Sequence, residues 1–361
     1  MEGRLWDEME IVKRQKMLVF LAFSLLLSGC AGQGDNAGDA AETRFFGMNT
    51  DISITAYGGD AEKALTDAQS KVTELEKLWS VTDENSEIYA INHSQGAPVN
   101  VSEETGRILS FALDMAKQTG GALEPTIYPV LTAWGFTTGE NRIPDESELE
   151  EILRDVGYGN VHLSGNEVTL PGGMELDLGA VGKGFAADEV SNVLKQAGVT
   201  SALLDLGGNI QLIGTKPDGT DWKIGLRDPF GESYIGVLSI SDRAVVTSGN
   251  YERYFIGEDG KRYGHILDPA TGYPAENGMA SVTVVAEEGK LCDALSTSLF
   301  VMGQERATDY WRENQNFDMI LLTEKGEIYL TEGLAGKFEL EPDYGDVKVE
   351  LIKETADRKG E

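Results

Sequence analysis

Lys183 is the only cation in a glycine-dense run, ELDLGAVGKGFAAD, at residues 175–188. Gly179, Gly182 and Gly184 let the backbone turn sharply and approach a ligand closely. Before them, Glu175, Leu176, Asp177 and Leu178 alternate polar and apolar, as in a half-buried strand. Beyond them, Phe185, Val190, Val193 and Leu194 fall at helical spacing. A strand that enters a helix through glycines aims backbone N–H groups and the positive end of a dipole at one spot, which suits a phosphate. A connection that needs glycine only for packing reads the same way, so the stretch alone does not decide.

Two further sets of residues could do chemistry. Asp293 and Thr297 lie four apart, so a helix puts both on one face. With a nearby backbone carbonyl they make the all-oxygen environment that Mg²⁺ prefers. An N-cap role for Asp293 accounts for the same spacing. There is no Cys/His cluster of the kind zinc takes. Of the three histidines, His93 and His162 sit in polar loop or hairpin contexts. His265 stands where YGHILDPATG runs from a strand into a turn, and can serve as a proton acceptor, a phosphate donor or a structural hydrogen-bonding group.

The central run also imitates a dinucleotide fingerprint. Residues 182–187 fit G-x-G-x-x-A, and Asp205 sits where that fold places its ribose acid. The strands expected downstream do not alternate with helices as a doubly wound sheet requires, and the loop carries a lysine.

The elements that must position these groups follow from periodicity. Residues 44–57 read as an opening strand pair. Residues 60–79 and 102–119 are amphipathic helices, 86–92 a short turn or helix, and 144–155 a charged helix. Residues 120–136 have the Gly, Pro and aromatic content of an ordered loop. A hairpin crosses Gly165 and Asn166. Strands then follow at 201–206, 210–214, 222–226, 235–240, 244–247, 253–256, 263–267 and 280–286, with a helix from 293 and four closing strands. The fold class expected is α+β: one domain over 44–353 with mixed, largely antiparallel sheets and flanking helices, and a polar tail at 354–361.

The 361 residues carry a net charge of −31, which repels phosphate backbones and argues against nucleic acid as a partner. Lys13, Arg14 and Lys16 precede the apolar run 17–27, too short to span a bilayer comfortably. Leu27-Ser28-Gly29-Cys30 follows and resembles a bacterial lipobox. Residues 1–29 are therefore expected to be a lipoprotein signal peptide, Cys30 the lipidated residue, and 30–43 a flexible tether. That implies a membrane-anchored protein on the extracytoplasmic face. The other cysteine, Cys292, then has no partner for a disulfide and is expected to be a buried small residue or a thiol near the site.

Taken in order, the motifs resemble the FAD:protein FMN transferase (ApbE-type) family. They are Gly47-Met48-Asn49-Thr50; Trp79-Ser80 with Ser86-Glu87-Ile88 and Asn92; Pro125-Thr126-Ile127 and Trp134-Gly135-Phe136; the 176–184 run; Leu206-Gly207-Gly208-Asn209; Thr247-Ser248-Gly249-Asn250; His265 to Gly272; and Asp293 to Thr297. The resemblance covers roughly residues 45–303. It implies transfer of FMN from FAD to a threonine hydroxyl of exported target proteins, such as subunits of membrane redox complexes, with release of AMP. It implies Asp293, Thr297 and the Ala180 carbonyl as Mg²⁺ ligands, Lys183 at the phosphates or flavin edge, Asp177 at the adenosine, and His265 as base. Met48, Trp79, Ala122, Leu123, Glu124, the backbone around Leu267 and, besides its role as base, His265 are implied as FAD contacts. Leu123-Glu124 stands where the family commonly has Phe-Asp, Asn250 where Asp is frequent, and Cys292 where Ala is usual. An FAD pyrophosphatase yielding FMN and AMP, and a non-enzymatic flavin-binding lipoprotein, are the alternative readings.

Overall fold

The computed structural model describes residues 40–354. The segment expected as a signal peptide, Cys30, most of the expected tether and the last seven residues lie outside them. Strand β1 (Ala41–Gly47) starts earlier than apolar pattern suggests, because main-chain pairing with β2 (Thr50–Tyr57) recruits Ala41 opposite Ala56. The turn between them is two residues long, with Met48 at φ 50° and Asn49 at φ 59°. Helix α1 (Ala61–Trp79) buries Ala64, Leu65, Ala68, Val72, Leu75 and Trp79. The short helix α2 (Glu87–Asn92) and helix α3 (Glu103–Gln118) follow, each capped by a serine, Ser86 and Ser102, that accepts from the third residue on.

Strands β3 (Val99–Asn100), β4 (His162–Ser164) and β5 (Glu167–Thr169) form a small separate sheet. Between β3 and β4, the glycine- and proline-rich loop contains a single-turn helix, α4 (Tyr128–Ala133), and α5 (Glu146–Ile152) follows it. The stretch expected as a strand at 175–178 is extended but carries a single bridge, Ile127 to Glu175. Asn92 holds it instead. Its Nδ2 donates to the Leu176 carbonyl at 3.0 Å and its Oδ1 accepts from the Leu176 N–H at 2.7 Å, as a neighbouring strand would. Helix α6 (Gly182–Gln196) begins where the sequence puts it.

Among the described residues the main sheet has nine strands, in the order β1-β2-β6-β7-β10-β13-β14-β15-β17. Here β6 is Ser201–Leu206, β7 Asn209–Ile213, β10 Ala244–Gly249, β13 Met279–Ala286, β14 Asp318–Thr323, β15 Ile328–Thr331 and β17 Val349–Ile352. Every neighbouring pair is antiparallel except β15 with β17. With β6 antiparallel to both its neighbours, the doubly wound dinucleotide fold is excluded, and Asp205 merely accepts from the Gly208 N–H.

Alternate residues of each strand face opposite layers. Val246, Val284 and Leu321 pack with α1, α6 and the long helix α7 (Gly289–Asn314). Val245, Val285 and Ile320 pack with a three-stranded sheet of β8 (Trp222–Arg227), β9 (Tyr234–Ile240) and β16 (Phe338–Leu340). Covered on both faces, β13 is buried at all eight positions. Helix α7 starts four residues before Asp293, so the N-cap reading of that residue is wrong. It continues to Asn314 through a break at Gly303 (φ 74°, ψ 174°). A two-stranded hairpin, β11 (Tyr254–Ile256) with β12 (Arg262–Gly264), stands apart from these sheets. The strand expected over 263–267 ends at Gly264, so His265 is the first residue beyond it.

Candidate active site

Two glycines bring the starts of α6 and α7 together. A Cβ on Gly184 would overlap the Gly289 carbonyl oxygen and stand 2.6 Å from Asp293 Cβ; one on Gly289 would stand 2.8 Å from the Gly184 carbonyl oxygen. Only bare backbone fits at this crossing. Asp188, one turn beyond Gly184, then accepts the Gly289 N–H at 2.6 Å and the Lys290 N–H at 3.0 Å. It caps α7 from another helix, since Glu288 makes no side-chain cap. Burial pushes the Asp188 carboxyl up to about 6, against the two N–H groups that favour its charge.

The crossing delivers Asp293, 3% exposed, to the start of α6. Its Oδ2 accepts the Gly184 N–H at 2.9 Å, and Lys183 Nζ lies 3.8 Å from its Oδ1. The N–H groups of Val181 and Gly182 both turn back to the Leu178 carbonyl. The sheaf of free N–H groups expected at this helix start is therefore mostly used; among the described residues only the Lys183 N–H there finds no acceptor. The same arrangement frees an acceptor. Because Gly184 donates to Asp293 rather than back along the helix, the Ala180 carbonyl receives no hydrogen bond among the described residues.

Thr297, one turn after Asp293, has its hydroxyl 3.3 Å from that of Ser248, which lies 2.9 Å from the Ser296 hydroxyl. The Ser296 hydroxyl donates to the Asp293 carbonyl at 3.0 Å. Asp293 Oδ1, the Ala180 carbonyl and the Thr297 hydroxyl are thus all oxygens with acceptor capacity to spare. That donor set fits a hard divalent cation.

The remaining expected residues are distributed around this corner. The Met48 N–H donates to Glu76 Oε1 at 2.8 Å, and Met48 Cε lies 3.8 Å from where a Gly182 Cβ would stand. Trp79 meets Phe185 of α6 edge-on at 5.6 Å, and its indole N–H is buried without an acceptor among the described residues. Asp177 lies alongside Pro125, its N–H donating to the Pro125 carbonyl at 2.8 Å. Its Oδ1 accepts from Gly179 at 2.8 Å, and burial raises its carboxyl while Lys183 and Arg253 oppose the rise. Ala122 and Leu123 are buried. Glu124 is committed to the loop: it accepts from Thr126 N–H and hydroxyl and from the Tyr158 N–H.

His265 forms the other wall. Its Nδ1 lies 3.1 Å from the Arg253 carbonyl, which can only accept, so Nδ1 carries the proton and Nε2 keeps its lone pair. Burial first, then the charges of Arg253 and Lys183, lower the imidazole to about 4. It is neutral at pH 7 and able to take a proton. Leu267 is buried in the Trp134 cluster with Val130, Leu149 and Tyr263. Cys292 is fully buried, as one of its two expected readings has it, with burial raising its thiol.

The family model described as ApbE matches residues 48–321. The chain belongs to that family. The FAD:protein FMN transferase of Treponema pallidum is 34% identical over 297 residues, covering 77% of this chain and 82% of the relative. That of Klebsiella pneumoniae is 34% identical over 296 residues, covering 79% and 89%. The crystal structure of the ApbE protein from Thermotoga maritima superposes with a TM-score of 0.78 at 33% identity, over 83% of this chain and 99% of that one. The flavin transferase ApbE from Vibrio cholerae gives 0.72 at 27% identity, over 86% and 100%.

Sequence reading missed Ser248, Asp188, Gly289 and the Arg253 carbonyl, and gave Asn92 no role. Ser248 and Asn92 lay within quoted motifs. Asp188 and Gly289 are 101 residues apart and gave no local signal of their contact.

Proposed function

We propose that this protein transfers FMN from FAD to a threonine hydroxyl of exported proteins, releasing AMP, with Mg²⁺ at the α6–α7 corner. The observation that carries it is the buried corner itself: Asp293 is shared between the Gly184 N–H and Lys183, beside an Ala180 carbonyl left free. The names of the ApbE-family relatives support the reaction class. Asp293, Thr297 and the Ala180 carbonyl would hold the cation, which supplies Lewis acidity toward the pyrophosphate. Lys183 adds positive charge on the same side. His265 Nε2 takes the proton from the threonine hydroxyl, whose oxygen bonds the FMN phosphorus. The bond from that phosphorus to the AMP oxygen breaks, and AMP leaves with the electron pair.

We further propose lipid anchoring through Cys30 on the extracytoplasmic face, supported by the lipobox-like Leu27-Ser28-Gly29-Cys30. Among the described residues no helix is long and apolar enough to cross a membrane.

The test incubates the protein with FAD, Mg²⁺ and a threonine-bearing acceptor. AMP and an acceptor heavier by one FMN are expected, both lost on chelation and in Asp293→Ala. AMP and free FMN without a modified acceptor would convert the reading to an FAD pyrophosphatase. Palmitate labelling that persists in Cys30→Ser would sink the anchor.

A further inference from the structure

The β11–β12 hairpin has a free edge that leads to His265. The His265 N–H donates to the Arg253 carbonyl at 3.1 Å, and the Gly257 N–H to the Lys261 carbonyl at 2.9 Å. These bonds mark alternate hydrogen-bonded pairs, so the N–H and carbonyl groups of Tyr254 and Ile256 point outward. Among the described residues none of those outward groups has a partner. The side chains on this strand are equally open, Tyr254 at 44% and Ile256 at 57% exposure, while Phe255 between them packs inward against Trp134. An exposed, apolar, unpaired edge invites another strand, and natural folds normally blunt it. The tip carries its own contacts: Tyr263 donates to Asp259 at 2.7 Å and Lys261 pairs with Glu276 at 2.6 Å.

The charge here is also unusual for a chain of −31. Arg262 lies over the Tyr254 ring at 4.2 Å, and Arg253 donates to the Phe136 carbonyl at 2.9 Å. Neither forms an ion pair among the described residues. The strand's start faces the chemistry, since Glu252 and Arg253 sit within electrostatic reach of Lys183 and Asp177 respectively.

We infer that the β11 edge is where the acceptor polypeptide docks, as an added strand with acidic side chains toward Arg262 and Arg253. This rests on the flavin-transfer reading above. Strands lie about 4.8 Å apart, so a chain leaving the edge at Arg253 covers the distance of about 10 Å to His265 in roughly three extended residues. Backbone pairing provides affinity that tolerates many sequences, and the two arginines select charge.

The probes are two threonine-centred decapeptides, one flanked by aspartates and one by lysines at the same positions, assayed with FAD and Mg²⁺ by mass spectrometry. The wild type should use the acidic peptide at least about tenfold better in kcat/KM. Arg262→Glu should erase that preference. Ile256→Pro, which removes an outward N–H and is tolerated on an edge strand, should raise KM about tenfold for both peptides. In both variants FAD binding and AMP release to water should match wild type. FMN-peptide formed equally from both peptides, or unchanged by both variants, would overturn the docking edge while leaving flavin transfer intact. AMP release with no FMN-peptide in the wild type would overturn the transfer reading, and this inference with it.

Discussion

The two walls of the site are built in opposite ways. The α6–α7 corner is interior: Asp293 is 3% exposed and Ser296 fully buried, and glycine contacts between two long helices set its geometry. The His265 wall is peripheral, a two-stranded hairpin held by an aromatic cluster with its outer edge open. On the proposed reading, the difference follows from what each handles. Concentrated negative charge is best met by preorganised groups shielded from water. A base that meets an arriving protein must be reachable from outside. Stability and chemistry should therefore be coupled in the first wall and separable in the second.

The largest expected effect breaks the corner. Gly184→Ala forces a methyl group onto the Gly289 carbonyl and Asp293 Cβ. Overpacking of this kind costs about 1–3 kcal/mol, and moving Asp293 should take FMN transfer to background. Denaturant melts and AMP release on the same sample test the coupling; a normal melt with full activity would end it.

Next is the base. His265→Gln should slow transfer about 10²–10⁴-fold, a larger factor than any change it makes in FAD affinity. With the imidazole lowered to about 4, the wild-type rate should also hold level from pH 8 to 6. A limb centred on the ordinary histidine value of 6.5 would show that His265 is not the neutral base described.

The smallest effect separates the walls by pH. Asp188 is raised from 3.8 to about 6 in the fold, so the native state binds the extra proton between those values, and raising pH through that window removes stability. His265 is lowered from 6.5 to about 4, so the unfolded chain takes its proton first, and stability falls as pH drops through that window. Melting temperatures of Asp188→Asn and His265→Gln across pH 4–7 should therefore lose slopes of opposite sign relative to wild type. Parallel curves for the two variants would mean the groups share one environment.

Much of this was legible locally. The helices of residues 61–79, 103–118 and 182–196 announce themselves by apolar spacing, and the antiparallel strand series by alternation. The charged and polar site groups Lys183, Asp293, Thr297 and His265 stand out through ordered motifs. The 175–178 segment misled because alternation reports which side chains are buried, while strand character depends on backbone partners. Here one asparagine side chain supplies them.

What the sequence by itself determined is the inventory: an α+β chain, a glycine turn carrying one lysine, and a carboxylate and hydroxyl one helical turn apart. These are matters of local periodicity and residue chemistry. Only the tertiary structure decided that Asp293 lies inside a helix rather than capping it, and that it takes the Gly184 N–H and so leaves the Ala180 carbonyl free. It likewise decided which His265 nitrogen is open. Each depends on a contact between residues distant in the chain, and a hydrogen bond's direction is set by what stands opposite it in space.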